Sequence, residues 1–222
     1  MAGPVALRAR IAATVPAQAY FMVSAVFHYL GPAFAVLLFT HVATLGVAWL
    51  RIASAALIFA VWRRPWRAFA GSSWAQRRTL LALGATLGAM NATFYLAIAR
   101  LPLGTVGGVE FLGPILLAAL GTRTLRNTFA LVLAVAGVWL LTDVRLTGEP
   151  LGFIFAFANC ALFMLYVTLG HHIAQDGGAT GIDRLGAAML IALVVVSPVG
   201  FADAAPACTQ PALLLAGIGV GV

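Results

Sequence analysis

Long apolar runs separated by short polar or basic connections dominate this chain. They extend from about Ala17 to Phe39, Thr44 to Trp62, Thr79 to Ala99, Thr105 to Gly121, Thr128 to Thr142, Leu151 to Gly170 and Leu185 to Phe201. A helix rises 1.5 Å per residue and needs roughly 20 residues to cross a hydrocarbon layer about 30 Å thick. The pattern therefore predicts an all-α, polytopic helical membrane protein with seven full spans. A further apolar run from Ala212 to Val222 reaches only about 16 Å, a partial eighth span. The first run is too long for a signal-peptide core of roughly 7 to 15 residues. Spans three and four are joined by RLPLG alone, which makes them antiparallel neighbours.

Composition agrees with the pattern: 63% of residues are hydrophobic, 9% are charged, and mean hydropathy is +1.03. The net charge of +7 comes from arginine, because the chain has no lysine. With a cytoplasmic N-terminus, Arg8, Arg10, Arg63, Arg64, Arg67, Arg77, Arg78, Arg123, Arg126 and Arg184 fall inside, against Arg100 and Arg145 outside. That asymmetry is the positive-inside pattern; the all-arginine, alanine-rich usage points to a GC-rich bacterial genome, and a bacterial plasma (inner) membrane is the expected location. Arginines set between spans without interleaved aromatics mark topology rather than nucleic-acid binding. Cys160 and Cys208 belong to no CxxC or Cys/His cluster, so neither a zinc site nor a disulfide framework is expected. No phosphate-loop motif is present, and no cofactor is expected.

The candidate chemistry is concentrated between Gly84 and Pro114. On a helix Gly84, Gly88, Asn91 and Tyr95 share one face, which can pack closely on a neighbour while presenting polar groups. Glu110 lies inside span four, and Pro114 four residues later removes the hydrogen bond that its carbonyl would accept. A carboxylate at that depth costs roughly 2.5 to 3.5 kcal/mol on insertion scales, and it marks a pathway or a partner. Arg51 in span two lies within about 3 Å of the same depth. The two could pair, with Glu110 binding a proton or an amine and Arg51 neutralising it or holding a substrate carboxylate. The alternative is a static ion pair that fixes helix packing. His28 and Tyr29 in span one are proton-relay or packing candidates, and Asn91 and Tyr95 either line a cavity or bond between helices. Pro32 and Pro114 are expected to kink their helices. Asn159 and Tyr166 are further polar positions in span six.

Displaced by 133 residues, RIASAALIFAV from Arg51 aligns with RLGAAMLIALV from Arg184 at five of eleven identities. The same offset carries Gly84 onto Gly217 and Gly88 onto Gly221. Five spans per copy invert the second copy, as in many secondary transporters with a midplane binding site. The expected units are 17–142, a first five-helix repeat, and 151–222, a second and incomplete one. Counterparts of spans three to five would fall at about 212 to 275, so a truncated ten-span protein is expected.

LRIASAALIFAVWRRPWR, LGAMNATFYLAIARLPLG and VEFLGP resemble the drug/metabolite transporter superfamily, EamA type, and most closely the bacterial threonine/homoserine exporters. The resemblance implies ten helices in two inverted halves and proton-driven export of amino acids or related small metabolites. Its implied partners are a small-molecule substrate and the lipid bilayer, with a homodimer allowed. An inactive remnant of such a transporter, or a membrane protein with a structural role, is the alternative. An intramembrane hydrolase using Ser24 or Ser54 with His28 or His41 lacks any G-x-S-x-G motif, and the chain is not expected to be an enzyme.

Overall fold

A computed structural model describes residues 17–120, 124–141, 149–175 and 181–221. The helices follow the apolar runs: α1 (Ala17–Leu38), α2 (Thr44–Arg63), α3 (Trp66–Ala70), α4 (Trp74–Ile98), α5 (Leu103–Leu120), α6 (Leu125–Leu141), α7 (Pro150–Gln175), α8 (Gly181–Cys208) and α9 (Pro211–Gly221). No strand occurs among the described residues. Five helices, α2, α4, α5, α7 and α8, are long and apolar enough to cross a membrane. Shorter apolar stretches cover Val26–Leu38, Leu125–Gly137 and Pro211–Gly221. Five is thus the count carried by length and composition among the described residues, beside the seven and a half read from the sequence. Arg8, Arg10, Arg123 and Arg145 lie outside the described residues.

Local chemistry sets several helix ends. Ser73 and Gln76 form a capping box at the start of α4: the Gln76 N–H donates to Ser73 Oγ at 3.3 Å, and the Ser73 N–H donates to Gln76 Oε1 at 3.0 Å. At the end of α2, Arg64 takes φ 50, a left-handed conformation that closes the helix just before Pro65. Prolines do not end the membrane helices. Pro32, Pro114, Pro198 and Pro206 all lie inside one, as membrane bundles allow where neighbours compensate the lost bond.

Helix α4 is the packing axis, meeting α2, α7 and α8. The expected glycine face does this work: a Cβ on Gly84 would lie 2.5 Å from Ile191 Cβ and 2.8 Å from the Ala188 carbonyl of α8. Only a missing side chain lets the two helices come so close. Helices α2 and α8 run antiparallel, and polar contacts join them near both ends. Trp49 Nε1 donates to Ser197 Oγ at 2.9 Å. Some fourteen residues along α2, Arg63 grips Asp183 bidentately, with Nε to Oδ1 at 2.7 Å and Nη2 to Oδ2 at 3.1 Å. Beside it Arg184, buried, donates to the Ile173 carbonyl of α7. Outward-facing positions such as Phe27, Leu57, Val61 and Leu133 are apolar and exposed, the arrangement that a lipid solvent favours.

Candidate functional site

The carboxylate of Glu110 is inside the bundle, with only 2% of the residue exposed. Helix α1 supplies its partners. Tyr29 donates its hydroxyl to Glu110 Oε2 at 2.8 Å, and His28 Nε2 stands 3.9 Å from the same oxygen. The ring of Tyr29 fits because residue 107, one turn before Glu110, is glycine: a Cβ there would lie 3.1 Å from Tyr29 Cε1 and Oη. His28 and Tyr29 stand edge to face at 5.1 Å. Three polar groups read separately from the sequence, His28, Tyr29 and Glu110, are thereby brought together.

The expected pairing of Glu110 with Arg51 is not made in this structure. The Arg51 guanidinium lies 5.9 Å from the centre of the Tyr95 ring, a cation–π distance, instead of on the carboxylate. Matching depth put the two residues at one level but did not fix which helices adjoin. Helix α5 packs principally on α6 and α7. The other members of the glycine face divide. Asn91 is a brace, since its Nδ2 donates to the Ala48 carbonyl of α2 at 3.0 Å. Tyr95 is wholly buried; its hydroxyl makes no well-formed hydrogen bond, and the Arg51 guanidinium is the charged group beside it.

A second orphan is Asn159 of α7, at 0% exposure with both amide atoms unpartnered. Its level follows from helix contacts. Where α7 begins, a Cβ on Gly152 would lie 2.9 Å from Arg100 Cβ and 2.8 Å from Leu101 Cγ, at the end of α4. Six residues back from Leu101 is Tyr95, and seven on from Gly152 is Asn159, about 9 and 10 Å along antiparallel axes. On the other side, a Cβ on Gly113 of α5 would meet the Cys160 carbonyl at 3.3 Å and Met164 Cγ at 2.7 Å. That places Glu110 within a turn of Asn159. Tyr29, Glu110, Asn159, Tyr95 and Arg51 therefore lie at about one level, a polar layer of the bundle. The sequence showed Asn159 only as one more polar residue. Its place on the Gly152, Ala156, Asn159 face, at steps of four and three, was the available signal.

Among the described residues no group of His, Cys, Asp and Glu could hold a metal ion. The groups at this level are a carboxylate, a guanidinium and neutral hydrogen-bonding side chains, which suit a polar ligand.

Apolar helices closed around such a layer define a multi-pass helical membrane protein. Over 200 residues the chain is 34% identical to Threonine/homoserine exporter RhtA of Salmonella typhimurium LT2, covering 86% of this chain and 64% of the exporter. With the protein of the same name from Escherichia coli K12 the identity is 33% over the same shares. The chain is homologous to these exporters and spans 64% of their length. The relatives are named as exporters, not as enzymes. No protein-family model matches the chain, and no solved structure matches it.

Proposed function

We propose that the chain is the larger part of an amino-acid exporter of the bacterial inner membrane. It works by alternating access between the inverted units 17–142 and 151–222, with the N-terminus in the cytoplasm. Homology to threonine/homoserine exporters supports the substrate class, and the arginine asymmetry supports the orientation. The glycine contacts support the repeat. Gly84 and Gly88 press on α8, and their counterparts Gly217 and Gly221 press on α2, the counterpart of α8. The second contact is displaced about two turns along α2 from the position that the 133-residue offset requires.

The buried carboxylate carries the mechanism. Glu110 is the site that a proton and the substrate ammonium occupy in turn, because one partly desolvated carboxylate cannot hold both cations. Tyr29 holds the ionised form through its hydroxyl, and His28 stands next in line for the proton. Arg51 is the group for the substrate carboxylate, a role that needs no ion pair with Glu110. The surroundings are lipid on the outer faces and a second copy where the exporter dimerises.

Proteoliposomes containing the full-length protein and loaded with L-threonine or L-homoserine test the reading. An imposed proton gradient should drive efflux, and Glu110→Gln should cut gradient-driven efflux at least tenfold. Efflux indifferent to the gradient, or unaffected by that substitution, would remove Glu110 from the mechanism.

A further inference from the structure

We infer that Asn159 reads the side-chain hydroxyl of the transported amino acid, making it the residue that separates hydroxylated substrates from their deoxy analogues. The inference rests on the exporter reading and adds a residue to it. Its starting point is a contrast between two buried asparagines. Asn91 is spent on the protein itself, since its amide braces α4 to the Ala48 carbonyl. Asn159 is more deeply buried, at 0% against 8% exposure, yet neither its Nδ2 nor its Oδ1 has a partner. Buried amides that serve packing alone are almost always bonded, and an orphaned one destabilises the fold. A leucine shares the branched outline of the amide and carries no such cost.

Position gives the orphan its use. Asn159 stands in the polar layer at the level of Glu110 and of Tyr95, whose hydroxyl makes no well-formed hydrogen bond beside Arg51. An α-amino acid has two charged ends, and the layer has one group for each, Glu110 for the ammonium and Arg51 for the carboxylate. The orphans stand at the same level as these two groups, and both are neutral. An amide oxygen, an amide N–H and a phenol suit a ligand group that both donates and accepts, which is what a hydroxyl does. A methyl or hydrogen in its place would leave the amide unpaired. Sites built in this way reject the analogue that lacks the polar group more strongly than apolar pockets reject an extra methylene. The layer is closed in this structure, with Glu110, Tyr95 and Asn159 all buried, so the hydroxyl is read in the occluded state and not at the mouth of a channel.

The ligand series is short because L-threonine and L-homoserine share one deoxy analogue, L-2-aminobutyrate. Binding of all three to the full-length protein in lipid nanodiscs is measured by calorimetry, together with the thermal midpoint. The wild type should prefer either hydroxy amino acid about tenfold or more. Asn159→Leu should bring the three affinities together while leaving the midpoint unchanged or higher, because it removes an unbonded amide. Asn159→Ala, which adds no bulk, gives the same affinity reading if leucine does not fit. Asn91→Leu, which breaks a bond that is made, should lower the midpoint. A wild type that binds all three alike, or an Asn159 variant that keeps the preference, would overturn the inference and leave the exporter reading standing. A wild type that binds none of the three would overturn both.

Discussion

Tyr29 occupies the pivotal contact at the scale of single residues. Its hydroxyl donates to a buried carboxylate that also has His28 Nε2 at 3.9 Å, and hydrogen bonds to charged groups contribute about 1.5 to 3 kcal/mol. Tyr29→Phe should therefore destabilise the protein by about that amount, read as a shift in a reversible denaturation midpoint in detergent. An unchanged midpoint would mean that Glu110 finds another donor. Asn91→Ala should cost less, about 0.6 and at most about 1.7 kcal/mol, the range measured for side-chain bonds between membrane helices. The members of this layer were legible in the sequence because a Glu, a His or a Tyr inside an apolar run is conspicuous. Their partnerships were not. Spacing along a chain fixes which residues share a helix face and how deep they lie, whereas Arg51 lying at Tyr95 and Glu110 at Tyr29 depend on which helices adjoin. The unbonded state of Asn159 was illegible for the same reason.

Whole helices meet through small residues in this bundle, and the glycines differ sharply in what they tolerate. At Gly84 a methyl group would lie 2.5 Å from a side chain of α8 and 2.8 Å from its backbone, and neither α4 nor α8 is free to yield. Gly84→Ala should destabilise by about 1 to 3 kcal/mol through overpacking, more than the roughly 1 kcal/mol that alanine gains in helix propensity. Gly137 on α6 has nothing within 4 Å of such a methyl, so Gly137→Ala should stabilise by up to about 1 kcal/mol. Parallel melts of the two variants check the pair, and shifts of the same sign would contradict the packing. The Gly84, Gly88, Asn91, Tyr95 face was readable beforehand because helical period alone decides it. The ends of α7 and α8 were not. Apolar sequence stops at about Gly170 and Phe201, but the helices continue to Gln175 and Cys208. Hydropathy marks where lipid gives way to water, and backbone hydrogen bonding does not stop there. Proline was an equally poor guide, since Pro198 and Pro206 lie inside α8.

For the whole molecule, the orientation proposed from the arginine distribution is a property that native cysteines can check. Cys208 is exposed at the end of α8, while Cys160 is partly buried where α7 meets Gly113 of α5. With the N-terminus in the cytoplasm, α8 ends outside. A membrane-impermeant maleimide should then label Cys208 on intact spheroplasts, and Cys208→Ser should abolish the signal. Labelling that appears only after lysis would invert the topology. All-helical architecture was plain from the apolar runs, because lipid leaves the backbone few other choices. The clasp of Arg63 on Asp183 was not, since the acid sits in a polar connection that resembled an ordinary loop. The placement of Tyr29 over Glu110 bears on timing. A carboxylate oxygen capped by a phenol from α1 is open to a ligand only once that contact parts. In the proposed exporter, whatever loosens α1 would then set the pace of transport, and a slow step would register as sensitivity to substitutions along that helix even where they touch no charge.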